Sequence, residues 1–344
     1  MRFAEKVFCR VFQGAFRAAL PVLPYREPKI LKEVKMIPKL LQQKKIRRVL
    51  LVTDAGVRGL GLTSRLEMGL KEAGIKCAVY DKVVANPTII NIEEARKLYL
   101  KSGAQAIIAF GGGSAMDCAK VTGARVVKPR QPVYKMKGLL KIWRKLPLLI
   151  AVPTTAGTGS ETTLAAVITD AGTKHKYPIN DFNLIPHYAV LDYHVTLGLP
   201  KHITATTGMD ALTHAVEAYI GRSTNAFTRK MAEDATKLIY ENLKTAYDDG
   251  QNKKARENML EAAYCAGVAF SRSYVGYVHA FSWRSVWRAS WAGKCRSAAL
   301  FSGGIWYSLS EKTGETGPLC RNGAEAYQRL PCSGLFHSVG EGYE

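Results

Sequence analysis

The first half of the chain alternates short, wholly apolar runs with stretches in which apolar residues recur at helical spacing. The apolar runs are too short for helices and end in turns, so they are predicted to be buried strands. The predicted strands are "RRVLLVTD", "CAVYDKV", "AIIAF" and "LPLLIAV", and the predicted helices are "LTSRLEMGLKEAGI", "NIEEARKLYLKSGA" and "AMDCAK". This β-α-β-α order predicts a mostly parallel sheet covered by helices on both faces.

The pattern changes after about Leu199, where helical periodicity continues with few strand signals. The stretches concerned are "ITATTGMDALTHAVEAYI", "NAFTRKMAEDATKLIYENLKTAYDD" and "KARENMLEAAYCAGVAFS". We therefore predict an amphipathic helix over residues 1–24, an α/β domain over 25–198 and an all-helical domain over 199–280. Ligands are expected in the cleft between the two domains, at the carboxyl ends of the strands.

Composition narrows the class of protein. The chain has 344 residues, is 47% hydrophobic and carries a formal net charge of +21, with eight basic residues and no acid between Arg125 and Lys145. No nucleic-acid-binding motif accompanies this charge, so a solvated basic surface is favoured over a nucleic-acid partner. No apolar run reaches the length of a membrane span. The seven Cys lack CxxC pairing, which favours free thiols in the cytoplasm.

Two turns that follow predicted strands carry candidate ligand-binding groups. Glycines between a strand and a helix let backbone N–H groups approach a phosphate, and the helix N-terminus adds positive potential. The second turn is rich in hydroxyls, for which structural capping is the alternative interpretation. Together, at equivalent strand ends, they favour the binding of one elongated phosphorylated ligand. The candidate residues are Gly112, Gly113, Ser114 and Asp117 in the first turn, and Thr154, Thr155 and Thr158 in the second.

A third group of candidate residues lies in "GMDALTHAVEAY". Asp210 and His214 are four residues apart, so both project from one face of a helix. A carboxylate and a neutral imidazole can then bind the same divalent metal, although such a pair is more often a contact on a helix surface. His279 is the candidate for a third ligand, but its distance along the sequence does not show that it reaches the pair.

"GGGSAMD", "PTTAGTGSE" and "GMDALTHAVEAY", in this order and with "VTD" and "ANPT" upstream, resemble the iron-containing (group III) alcohol dehydrogenases. The resemblance runs from about Tyr25 to Ala280. It implies a Rossmann-like dinucleotide-binding domain and an all-α metal-binding domain, the dehydroquinate synthase-like architecture. It also implies reversible hydride transfer between a primary or secondary alcohol and NAD or NADP, with a metal lowering the pKa of the alcohol.

The resemblance also implies roles for individual residues. Asp54 matches the position that meets the adenosine ribose, where a carboxylate repels a 2′-phosphate and favours NAD over NADP. Lys176 matches a lysine near the cofactor, and the glycine and threonine turns match the cofactor-binding turns. Asp210, His214 and His279 match three of the four metal ligands. One carboxylate with two or three imidazoles suits Fe²⁺ and also Zn²⁺.

Other functions remain open at this point. An enzyme of the glycerol dehydrogenase or dehydroquinate synthase type has the same architecture, although the second and third motifs argue against it. A basic nucleic-acid-binding protein is supported by net charge alone. The expected substrate is a small-molecule alcohol or aldehyde, and a homo-oligomer is left open.

The resemblance stops abruptly after Ala280. The family continues with a segment that contains a further active-site His and the fourth metal ligand, whereas this chain has no His between His279 and His337. The 64 residues of 281–344 hold four of the five Trp and no Asp. A divergent tail and a shifted reading frame are the two explanations.

A shift of one nucleotide accounts for the unusual Trp spacing. Trp has the single codon TGG, so reading one nucleotide later turns each Trp into Gly. Trp283, Trp287 and Trp291 then give three glycines at four-residue spacing, and the neighbouring codons permit "HSLGGQYGVHHGLANAALLPY". We therefore predict that residues 281–344 are an out-of-frame tail and that the chain as written is impaired or non-functional.

Overall fold

The structure, a computed structural model, describes residues 22–172, 175–221, 223–276 and 279, with isolated positions before residue 22. The described residues divide into two compact units, which meet in the sequence at Thr196 and Leu197. The predicted tail over 281–344 lies outside the described residues, as does most of the predicted N-terminal helix.

The first unit is an α/β unit. Its strands are β1 (Lys29–Leu31), β2 (Arg48–Val52), β3 (Lys76–Tyr80), β4 (Ala106–Gly111), β5 (Gly138–Leu139), β6 (Leu148–Pro153), β7 (Ala165–Asp170), β8 (His175–Asn180) and β9 (Tyr188–Val190). Its α-helices are α1 (Ile37–Gln43), α2 (Ala55–Gly59), α3 (Ser64–Glu72), α4 (Ile89–Ser102) and α5 (Gly113–Val127). The strands and helices predicted for this unit are thus found in the predicted order.

Six of these strands form one sheet in the order β1-β9-β6-β4-β2-β3, and every neighbouring pair in it is parallel. In this sheet β3 lies on one side of β2, and β4, which follows β3 in the sequence, lies on the other side. The carboxyl ends of β2 and β4 therefore flank a topological switch point, where open α/β sheets bind ligands. A small second sheet, β5-β8-β7, contains the antiparallel pair β7 and β8 and was not predicted from the sequence.

Both faces of the large sheet are buried, as the wholly apolar strands predicted. Successive residues of β2 enter different cores: Val49 and Leu51 pack in one, Leu50 and Val52 in the other. Helices α1 and α3 cover the first core, and α4 and α5 cover the second. A strand buried on both sides needs apolar residues throughout, which explains why the strand runs do not alternate.

The second unit contains three long helices, α6 (Lys201–Ile220), α7 (Ala226–Asp248) and α8 (Lys253–Ser273), as predicted. Asn225 and Asn252 cap α7 and α8 through side-chain hydrogen bonds to backbone N–H groups. The three helices meet at two small buried clusters in which each contributes one alanine. Small residues at these crossings let the helices approach closely. In the described part of the chain, no helix is both long and apolar enough to cross a membrane.

Candidate cofactor turns and metal centre

The glycine turn joins β4 to the fifteen-residue helix α5. Gly112 is the N-cap residue and, as a glycine, has no side chain with which to cap the first backbone N–H groups of the helix. Helix geometry leaves those N–H groups without partners inside the helix, and the helix dipole places positive potential there. This end of α5 is therefore suited to hold a phosphate group.

The threonine turn lies directly beside the glycine turn. Its strand, β6, is paired with β4 so that Pro153 is opposite Gly111, and Thr154 N–H donates to the Gly111 carbonyl at 3.1 Å. A Cβ at Gly113 would lie 3.1 Å from Thr158 Cγ2, so the two turns approach each other as closely as a glycine permits. The structure thus brings together the two turns expected to share one ligand.

Asp54 stands at the same edge of the sheet, after β2. Its Oδ1 accepts from the Val57 N–H at 2.9 Å and so caps α2. Its Oδ2 faces the start of the glycine turn, 3.3 Å from the place where a Cβ on Gly111 would lie. The cap thus fixes a carboxylate at the switch point, beside the proposed pyrophosphate turn.

Lys176 and Ser114 are connected through Asn86, which the sequence analysis had included only as part of "ANPT". Lys176 Nζ donates to Asn86 Oδ1 at 2.8 Å, and the Asn86 N–H donates to Ser114 Oγ at 3.2 Å. Asn86 has a φ of 60°, a left-handed conformation that Asn tolerates better than most residues. The small β5-β8-β7 sheet therefore places its lysine beside the glycine turn.

Asp117 differs from the other candidates because its carboxylate is fully engaged inside the protein. Oδ1 accepts from Ser160 Oγ and Oδ2 accepts from the Val167 N–H, each at 2.9 Å. Burial raises the pKa of this carboxyl. The geometry favours a role in holding the two turns together over direct contact with a cofactor.

Lys120, one helical turn after Asp117, was missed by the sequence analysis. Its side chain is completely buried and joins α5 to the segment that follows the threonine turn. Burial lowers the pKa of its ammonium to about 8, against the opposing effects of Asp117 and Glu161. Its acceptors are Ser160 Oγ (3.1 Å), Thr163 Oγ1 (2.9 Å), the Thr163 carbonyl (3.0 Å) and the Ala165 carbonyl (2.8 Å).

Glu161 is the third ionisable group of this buried cluster. It is 1% exposed, and its Oε1 has no hydrogen-bond partner among the described residues. Burial raises its pKa to about 7, an effect that the nearby Lys120 ammonium opposes. The cluster therefore holds one carboxyl that changes charge near neutral pH directly behind the threonine turn.

Glu161 is expected to make folding stability depend on pH. Its pKa is raised from the usual 4.5, so the folded state binds more protons than the unfolded state between the two values. Its stabilising effect is therefore complete below about pH 4.5 and is lost as the pH rises through about 7, by up to about 3 kcal/mol. Urea unfolding followed by circular dichroism at about pH 5 and about pH 8 measures this loss.

Glu161→Gln is the matched variant, because it keeps the shape of the side chain and cannot ionise. The variant should lose less stability than the parent chain between the two pH values, while other titrating groups contribute equally to both. Parallel pH profiles for the two proteins would mean that Glu161 does not titrate in this range.

The candidate metal ligands converge in the helical unit. Asp210 and His214 lie on one face of α6, and one ligand atom from each of Asp210, His214 and His279 lies within 4.8 Å of the others. His279 Nε2 is 3.8 Å from Asp210 Oδ1, too far for a hydrogen bond and short enough for both atoms to contact one ion. The structure thus supplies the convergence that the sequence could not establish.

Packing restricts the orientation of both imidazoles. The His214 ring is stacked between Phe270, at 4.2 Å between centroids, and His279, at 4.4 Å, with interplanar angles of 16° and 17°. The side chain of Asp210 is only 9% exposed. A carboxylate and two imidazoles in a largely buried, fixed arrangement suit a divalent transition metal. Beside them, the buried Glu217 contacts His279, a contact that the sequence analysis also missed.

The chain is similar to known proteins over most of the α/β unit and part of the helical unit. A family model described as "Iron-containing alcohol dehydrogenase" matches residues 31–193, and one described as "Fe-containing alcohol dehydrogenase family, C-terminal" matches residues 204–285. The 1,3-propanediol dehydrogenase of Citrobacter freundii is 41% identical over 238 residues, which are 69% of this chain and 61% of that protein. The NAD-dependent methanol dehydrogenase of Bacillus methanolicus is 36% identical over 249 residues, 72% of this chain and 65% of that protein.

The fold is also similar to that of a known alcohol dehydrogenase. The structure of an alcohol dehydrogenase from Oenococcus oeni matches with a TM-score of 0.80 at 32% identity, covering 92% of this chain and 87% of that chain. The chain nevertheless spans less than two thirds of the length of the first curated relatives, 61–63%.

Proposed function

The chain belongs to the iron-containing alcohol dehydrogenase family, and we propose that it represents an enzyme that interconverts an alcohol and its aldehyde or ketone with NAD as cofactor. The single observation that carries this proposal is the convergence of Asp210, His214 and His279 in the helical unit. The iron or zinc ion that these residues would hold supplies a Lewis acid that lowers the pKa of the substrate hydroxyl.

The chain's own residues have distinct parts in this proposal. Asp210 contributes a negative charge that offsets the ion, and the stacked rings of His214 and His279 present imidazole nitrogens at fixed positions. In the oxidation, a hydride leaves the alcohol carbon for NAD⁺ and the hydroxyl proton is released, giving a carbonyl compound and NADH. The nicotinamide supplies the hydride-accepting chemistry, so the protein needs only to bind, orient and polarise.

The α/β unit would hold the dinucleotide. The N–H groups of Gly113 and Ser114, in the first turn of α5, suit the pyrophosphate, and the neighbouring threonine turn adds hydroxyl groups. Lys176, anchored on Asn86, lies beside the same turn. Asp54 would accept hydrogen bonds from the adenosine ribose.

The proposed activity is tested by following NADH formation with a series of short primary and secondary alcohols in the presence of Fe²⁺ or Zn²⁺. Stoichiometric formation of carbonyl product and NADH supports the proposal. A product formed without net NADH would instead indicate a dehydroquinate synthase-type reaction. We also propose that the 344-residue chain itself is impaired, so the assay requires the frame-restored chain. That chain consists of residues 1–280, the missing "LA" that the family pattern has before "HSLGG", and the tail read in the family frame.

Asp54→Asn is expected to weaken discrimination against NADP⁺ by about tenfold, because it removes the negative charge that repels a 2′-phosphate. Asn caps helices about as well as Asp, so the free energy of unfolding should change little. Fluorescence titrations with NAD⁺ and NADP⁺ measure the ratio of dissociation constants. An unchanged ratio in the variant would remove Asp54 from the cofactor site.

A further inference from the structure

We infer that Glu217 is a positioning residue that fixes the orientation and tautomer of His279 for metal binding; this inference rests on the proposed metal-dependent function. Glu217 lies on α6, three residues after His214, so it continues the helix face that carries Asp210 and His214. Its side chain is only 3% exposed. A carboxylate this deeply buried requires strong partners inside the protein.

Two partners meet at a single oxygen of Glu217. Its Oε2 accepts from the Gly276 N–H at 2.8 Å and lies 2.6 Å from His279 Nδ1. We assign the proton of this pair to Nδ1, because an ionised carboxylate only accepts hydrogen bonds. The other ring nitrogen, Nε2, then presents its lone pair, and Nε2 is the atom that lies 3.8 Å from Asp210 Oδ1.

The backbone after α8 is shaped to fit Glu217. A Cβ added at Gly276 would lie 2.9 Å from Glu217 Oε1, closer than real Cβ atoms come to their neighbours, and 3.1 Å from Glu217 Cδ, which is a tight contact. Glycine at this position lets the chain pass over the carboxylate three residues before His279. One buried side chain thus anchors both the backbone that leads to His279 and the ring itself.

This arrangement has a definite chemical consequence. A carboxylate that accepts from the remote N–H of a metal-binding imidazole fixes the ring and makes its other nitrogen a stronger ligand. Loss of such a partner typically costs about 10–100-fold in metal affinity. Glu217 would therefore act through His279, without touching the metal or the substrate.

The experiment is a Zn²⁺ titration of the full 344-residue chain in competition with a chromophoric chelator. Glu217→Ala should weaken Zn²⁺ binding by roughly 10–100-fold. Glu217→Gln should weaken it less, because an amide oxygen can still accept from Nδ1–H but carries no charge. Glu261→Gln, at an exposed position of α8, is the matched control and should bind as the parent does.

Gly276→Ala should also weaken Zn²⁺ binding, because the added Cβ would push the Glu217 carboxylate away from His279 without substituting Glu217 itself. Unchanged NAD⁺ affinity and circular dichroism would show that each variant is folded. Zn²⁺ binding as tight as the parent's in both Glu217→Ala and Gly276→Ala would overturn the inference and leave the metal site standing. Failure of both the 344-residue chain and the frame-restored chain to bind Zn²⁺ at one equivalent would overturn the proposed metal-dependent function, and the inference with it.

Discussion

Asp210→Asn is expected to weaken binding of a divalent metal by at least about 100-fold. Loss of a side chain that hydrogen-bonds to a ligand typically costs about 10–100-fold in metal affinity, and loss of a ligand that contacts the ion should cost more. The substitution keeps the size of the side chain and removes the only carboxylate among the three converging ligands. The two imidazoles alone would bind the ion without any compensating negative charge. Competition titration with Fe²⁺, under anaerobic conditions, or with Zn²⁺ measures the change.

The control is Asp234→Asn on α7, where the carboxylate forms an exposed pair with Lys230. Such a surface pair contributes little to stability, so the control should bind metal as the parent does. The metal-free forms of both variants should remain folded, because neither substitution creates a cavity. Equal affinity of Asp210→Asn and the parent would place the metal elsewhere.

Restoring the reading frame after Ala280 is expected to restore activity. We expect the 344-residue chain to show no measurable NAD-dependent alcohol oxidation and the frame-restored chain to be active. The family resemblance puts a further active-site His and the fourth metal ligand in the segment that the shift replaces. Three protein ligands can still hold zinc, but the residues that complete the site would be absent.

NAD⁺ affinity is the internal control for this comparison, because both chains share the α/β unit with its glycine and threonine turns. We expect the two to bind NAD⁺ equally well while they differ in turnover with a primary alcohol. Substantial alcohol oxidation by the 344-residue chain would refute the proposed impairment. The nucleotide sequence across codons 278–292 tests the proposed shift independently of any assay.

The large sheet and the helical unit could be predicted because their sequence patterns are strong. Strands such as β4 are buried on both faces and so read as continuous apolar runs, and the three long helices keep a regular period. The β7 and β8 strands were missed because they are partly exposed, mix polar and apolar residues and form a sheet through pairing with each other and with the two-residue strand β5. That pairing positions Lys176, so its contact with Asn86 could not be foreseen.

The site was predictable only where its residues share one element or one motif. The spacing of Asp210 and His214 on one helix was sufficient to propose a metal pair. The position of His279 beside Asp210 and His214 depends on the path of the chain after α8, and no local sequence pattern predicts that path. Lys120 reads as an ordinary surface lysine, because its burial depends on acceptors that lie some forty residues away in the sequence. The spacing of Glu217 to His214 places it on the same helix face, but no sequence signal indicates its partner Gly276.

Anomalous diffraction shows whether Asp210, His214 and His279 hold a divalent metal. Crystals of the metal-loaded protein would be measured on both sides of the iron or zinc absorption edge. We predict one anomalous peak at about 2 Å from a carboxylate oxygen of Asp210 and from one imidazole nitrogen of each histidine. Absence of a peak among these three side chains in the metal-loaded crystals, or a peak held by other residues, would mean that Asp210, His214 and His279 do not form the metal site.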